Sequence, residues 1–236
     1  MTAWFMAALA VSVGGMSLMA FAVFLFAGSP GLIEFNLSVW GVVITNASLS
    51  LLFFVQHSGM IRRPFKRWMA RFVPEHYLGV VYSITSGLAL LSVVLIWQES
   101  QQVIATATGV WRWIARTVFF LAVGGVIWGA ISLRGFDTLG LRPIRHRSRV
   151  ETPSAPTLVV RGPYRWSRHP LYFFVLLMMW SHPDLTLDRA LFNVLWTVWI
   201  VVGTVLEERD LVAEFGDRYI EYQRNVPMLI PLLKRA

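Results

Sequence analysis

The chain has 236 residues, of which 56% are hydrophobic, 14% aromatic and 14% charged, with a mean hydropathy of +0.58. Soluble domains carry about 25% charged residues and disordered chains are poor in aromatics, so both classes are excluded. The 21 Lys and Arg against 13 Asp and Glu leave a net charge of +8, and the absence of Cys removes disulfides, thiolate metal sites and cysteine nucleophiles.

No charge precedes Glu34, and Ala3 to Ala27 is an almost unbroken apolar run. It lacks the basic start and short core of a cleaved signal, which predicts a retained membrane helix. Further uncharged runs cover Phe35 to Val55, Tyr77 to Trp97 and Thr117 to Leu133. Each is close to the ~20 residues that a bilayer requires. Gly125 and Gly129 stand four residues apart in the fourth run, the spacing of close helix packing. Leu171 to Trp180 is apolar but short, Ser181-His182-Pro183-Asp184 ends it, and Ala190 to Leu206 provides a fuller span. The expected architecture is all-α, with five full spans, one short arm and a C-terminal helical hairpin turning at His182–Asp188. No strand or repeat pattern is evident.

Charge placement tests the count. Five Lys/Arg fall in 57–76, eight in 134–169 and five after 207, whereas 28–34, 98–116 and 181–189 hold none, two and one. Six crossings put the rich segments on one side, which the positive-inside rule makes cytoplasmic, together with both termini. The basic excess therefore reads as topology, and no nucleic-acid partner is expected. One integral membrane domain is expected over 1–236, with four helices in 1–133 and the hairpin and tail in 134–236. Glu151 to Thr157 reads as a loop.

Chemistry concentrates in a few places. Arg161-Gly162-Pro163-Tyr164-Arg165-Trp166-Ser167-Arg168-His169-Pro170-Leu171-Tyr172 precedes the hairpin, with a turn at Gly162-Pro163 and Pro170 suited to a first helical turn. Such a cationic segment also suits lipid headgroups, but an anchor needs neither His nor two Tyr. Glu207-Glu208-Arg209-Asp210 follows the second arm, an acidic cluster at a face that otherwise collects cations. A hairpin returns its ends to one side, so His169 and Tyr172 should lie near Glu207 and Glu208. His57, in Gln56-His57-Ser58, reads either as a base or as a cap on helix carbonyls. Arg62 to Phe72 alternates cations with Phe65, Trp68 and Phe72, as an interfacial helix does. The five His show no metal-ligand spacing, and no phosphate-binding glycine motif is present, so no metal is expected.

Taken together, Gly162-Pro163-Tyr164, Arg168-His169-Pro170-Leu171-Tyr172, Glu207-Glu208, Phe215-Gly216, Tyr219, Tyr222 and Val226-Pro227 resemble the isoprenylcysteine carboxyl methyltransferase superfamily. That superfamily includes phospholipid methyltransferase-like and NnrU-like membrane proteins. Gln56-His57-Ser58, Phe65-Lys66-Arg67-Trp68, Arg71 and Pro74 are similar to the bacterial methanethiol S-methyltransferase branch. The resemblance implies a cytoplasm-facing pocket for S-adenosyl-L-methionine, contacted by Leu158, Val159, Val160, Tyr164, His169, Pro170, Tyr172 and Glu207. Glu207 would take the cofactor amine or a ribose hydroxyl, and Arg168 or His169 its carboxylate. His57, Arg168 and Glu208 are the candidate catalytic residues; His57, His169 and Glu208 are alternatives for accepting a thiol proton. The prenylcysteine enzymes carry a basic residue four positions before the Glu, where this chain has Gly203. That departure favours a small thiol such as methanethiol, arriving through membrane lipid in a bacterial inner membrane. A prenylcysteine or lipid acceptor, or a non-catalytic NnrU-like role, is the alternative.

Overall fold

The computed structural model describes residues 2–133 and 158–231. The expected loop at Glu151–Thr157 and the cations between 134 and 157 lie outside the described residues, as do Lys234 and Arg235. In chain order the elements are α1 (Thr2–Ala27), α2 (Val39–Ile61), α3 (Arg63–Met69), α4 (Leu78–Ile96), β1 (Val103–Thr106), α5 (Gly109–Ser132), α6 (Pro170–Trp180), β2 (Asp184–Thr186), α7 (Leu187–Phe215) and α8 (Asp217–Asn225). Five helices are long and apolar enough to cross a membrane: α1, α2, α4 with the turn before it, α5 and α7. The 11 residues of α6 rise only about 16 Å, roughly half the hydrocarbon thickness. The chain is an integral membrane protein, all-α except for one short ribbon.

Two compact units divide the chain. The first contains residues 1–102 and 187–192 among those described. Gly87 of α4 faces α1 so closely that a Cβ there would stand 3.0 Å from Val13 and 3.3 Å from Ser17. Small residues at such a crossing let dispersion act where no hydrophobic force separates helix from lipid. Asn46 of α2, fully buried, gives Nδ2–H to the Gln98 carbonyl (2.8 Å) and accepts the Gln98 N–H (2.9 Å). The two bonds satisfy the backbone where α4 ends. Asp188 accepts from Trp97 Nε1 and from the Ser100 N–H, both at 3.0 Å. Arg189 donates to the Phe24 and Leu25 carbonyls, closing the end of α1, beneath a Phe24–Trp97–Phe192 ring cluster.

The second unit contains residues 103–133, 158–186 and 193–231 among those described. Here α5 begins eight residues before the expected Thr117, and it carries Arg112 within its first turns. The cation is tolerated because Asp184 of β2 pairs with it through two bonds of 2.6 and 3.0 Å. That contact also holds the Asp184 carboxyl below the usual carboxylate range. β1 pairs antiparallel with β2, Val103 opposite Thr186. This ribbon was not expected, since four and three residues are too few to show a period in sequence. α7 likewise runs beyond the expected Leu206 to Phe215, so Glu207 and Glu208 are helical.

Gly125 and Gly129 meet α6 as their spacing suggested: a Cβ at Gly125 would strike the Phe174 ring, and one at Gly129 would lie 2.7 Å from Leu171. Replacing Gly125 by Ala should therefore cost about 1–3 kcal/mol of overpacking. Gly124→Ala meets open space and should be neutral or stabilising. Thermal unfolding in detergent checks the pair; equal behaviour of the two variants would show that the α5–α6 contact is not tight.

Candidate active site

The site lies within the second unit and starts from a turn. Gly162 has φ +57°, a conformation open to glycine, and Pro163 follows it in a single 3-10 turn (Gly162–Arg165). The turn drops Tyr164 into the protein, where it is buried. His169 then caps α6, and buried Pro170 occupies its first turn, where no N–H is missed.

Arg168 is the centre of the polar network. Its Nε and Nη2 donate to the two oxygens of Glu208 on α7, at 2.5 and 2.8 Å. Its Nη1 donates to the carbonyls of Gln223 and Val226. Two backbone bonds, Arg168 N–H to Pro227 O and His169 N–H to Met228 O, and one from the Ser167 hydroxyl to Met228 O hold the same stretch. Glu208 also accepts from Tyr219 Oη (3.3 Å) and Gln223 Nε2 (2.9 Å). Tyr222 Oη donates to the Tyr164 carbonyl, which ties α8 to the turn. Gly216, at φ +58°, provides the bend that folds α8 back from α7.

The hairpin thus brings its two ends together, as expected. His169 lies between the two carboxylates, with Nε2 3.2 Å from Glu208 Oε1 and Nδ1 3.7 Å from Glu207 Oε2. Tyr172 stacks on the His169 ring with 2° between planes, and its hydroxyl donates to Glu207 Oε2 at 2.8 Å. The neighbouring carboxylates differ sharply: the Glu208 side chain is 11% exposed and fully engaged, whereas Glu207 is 44% exposed.

Other expected residues fall elsewhere. Leu158 packs against the Tyr219–Tyr222–Val226 cluster, Val159 is half-buried and Val160 is exposed. His57 belongs to the first unit, where the Tyr82 hydroxyl stands 2.9 Å from its Nε2. Gln223 and Ser167 were not singled out by sequence reasoning. The spacing of Tyr219, Tyr222 and Val226, one helical face, was the available signal for α8 docking.

Burial raises the Tyr164, Tyr219 and Tyr222 phenols above the ordinary value of 10.0. A raised folded pKa means that their stabilisation is complete below the unfolded value and is lost as pH rises through the folded one. Spectrophotometric titration should show these three ionising after exposed tyrosines and together with unfolding. Glu208→Ala strands Arg168 and should cost about 3–5 kcal/mol, whereas Glu207→Ala should cost under about 1 kcal/mol. Unfolding in detergent checks the contrast; similar losses would mean that Glu208 is not the structural carboxylate.

The chain is similar to known proteins over most of its length. The family described as a protein of unknown function (DUF1295) matches residues 13–226. The chain is 34% identical over 190 residues to a methanethiol S-methyltransferase of a Pseudomonas species, covering 80% of this chain and 73% of that one. It is 35% identical over 191 residues to methanethiol S-methyltransferase 2 of Bradyrhizobium diazoefficiens, covering 81% and 74%. To the human protein-S-isoprenylcysteine O-methyltransferase it is 27% identical over 197 residues, covering 79% and 63%. No solved structure matches. The chain belongs to the DUF1295 family of membrane proteins, alongside the bacterial methanethiol S-methyltransferases.

Proposed function

We propose that this protein is an integral membrane methyltransferase that moves a methyl group from S-adenosylmethionine to a small thiol, methanethiol being the acceptor named by its relatives. The observation that carries the assignment is the unequal carboxylate pair. Glu208 is used up by Arg168, while Glu207 remains accessible, with Tyr172 and His169 beside it. The residues present fit a cationic donor. A carboxylate suits its ammonium group or ribose hydroxyls, and an aromatic ring suits its adenine or its sulfonium. When bound, S-adenosylmethionine would supply an electrophilic methyl carbon on its sulfonium, which a thiolate would take as the carbon–sulfonium bond breaks and S-adenosylhomocysteine leaves.

Glu207 does the binding, held in place by the Tyr172 hydroxyl. Tyr164 and Pro170 would form the apolar side of the pocket, with Leu158–Val160 leading into the Gly162 turn. Arg168 and Glu208 set the position of His169 and hence the distance between donor and acceptor; such placement is where most of the catalysis of a displacement reaction lies. Within the second unit His169, 3.7 Å from the accessible Glu207, is the group left to take the thiol proton, because Glu208 is occupied by Arg168. Gly203, one turn before Glu207, offers no cation to a substrate carboxylate, which favours a thiol over a prenylcysteine. The charge distribution supports a bacterial inner membrane with both termini and the site on the cytoplasmic side.

The test is methyl transfer by purified protein, with methanethiol, a prenylated cysteine and a phospholipid supplied in parallel. Turnover with methanethiol alone is expected, and Glu207→Ala and His169→Ala should lower donor affinity at least about tenfold. Turnover restricted to the prenylated substrate would reverse the acceptor assignment, and unchanged donor affinity in both variants would displace the pocket.

A further inference from the structure

A second feature of the second unit does not rest on the methyl-transfer assignment. At the C-terminal end of α5, an open pocket of about 210 Å³ is lined by Trp128, Ile131, Ser132, Arg161 and Gly162. Ligand pockets for drug-sized molecules run to roughly 300–1,000 Å³, so this one suits a headgroup rather than a whole amphiphile.

Arg161 supplies its chemistry. The Nε–H donates to the Ser132 carbonyl at 2.6 Å, which fixes the guanidinium plane at the end of the helix. Its two terminal nitrogens have no acceptor among the described residues. A half-buried guanidinium with a free fork is a site for a planar or tetrahedral oxyanion. The walls are apolar and aromatic: Ile131 is 68% exposed, and Trp128 meets Trp166 edge to face at 5.2 Å. The close approach of Gly162 keeps the pocket's floor tight, since a Cβ there would strike Ser132.

Depth decides the occupant. Ser132 is the last residue of a membrane-spanning helix, so the pocket lies at the level of lipid headgroups. Indoles also concentrate at that level. We propose that this pocket binds the phosphate of an anionic phospholipid, with Arg161 gripping the headgroup and the acyl chain lying along Ile131 and Trp128. Exposed Arg165, in the same turn, adds to the local positive potential. The bound lipid would brace the Gly162 turn from which Tyr164 and His169 are hung.

Native mass spectrometry of the full chain, extracted from vesicles of equal phosphatidylglycerol and phosphatidylcholine, tests this. Preferential retention of one phosphatidylglycerol is expected, falling about tenfold in Arg161→Gln. Ile131→Glu, which leaves the Arg161–Ser132 bond untouched, should produce a similar loss and decides the matter if Arg161→Gln fails to fold. Equal retention of the two lipids, unchanged retention in the variants that fold, or displacement of the lipid by inorganic phosphate would overturn the proposal, the last by showing a phosphate site with no need of a lipid.

Discussion

The bidentate contact between Arg168 and Glu208 is the constraint on which the rest of the second unit depends. Two charges with side chains about one-tenth exposed have left most of their water behind. That cost is met only when geometry is good and every remaining donor and lone pair is used. Here the fork of the guanidinium covers both carboxylate oxygens, and Nη1 donates to the Gln223 and Val226 carbonyls. Tyr219 and Gln223 complete the carboxylate. The pair joins three stretches distant in sequence: the entry to α6, the end of α7 and the α8 region.

The same constraint separates the roles of two identical neighbours. Glu207 and Glu208 are one residue apart on a helix and so point about 100° apart. One turns inward to the arginine and is consumed by structure. Among the described residues, the other meets Tyr172 and the edge of His169, and its side chain stays 44% exposed. The Tyr172 hydroxyl orients that carboxylate without neutralising it, as the proposed binding role requires.

Much of this was legible before any coordinates. Uncharged runs of the right length mark the spans, because a bilayer cannot solvate charge or unpaired backbone. The convergence of Arg168, His169 and Tyr172 on Glu207 and Glu208 follows from the hairpin alone. Where the reading fell short, a long-range pairing was responsible. The uncharged run begins at Thr117, whereas α5 begins at Gly109, where Asp184 pairs with Arg112 from 72 residues away. The β1–β2 ribbon depends on the same closure. Nothing local in the sequence marks Gln223 as a donor to Glu208.

Composition and pattern by themselves determined that the protein lives in a membrane, how many long helices it has and which two clusters would meet. These are local properties, since hydrophobic length and charge placement act residue by residue against the solvent. Only the tertiary structure decided which glutamate is structural and which is open. It also decided that α8 closes on the Arg168–Glu208 pair and that, among the described residues, the terminal nitrogens of Arg161 have no acceptor. Those outcomes rest on directions and distances between groups far apart in the chain, and a linear sequence carries no record of which partner reaches a side chain first.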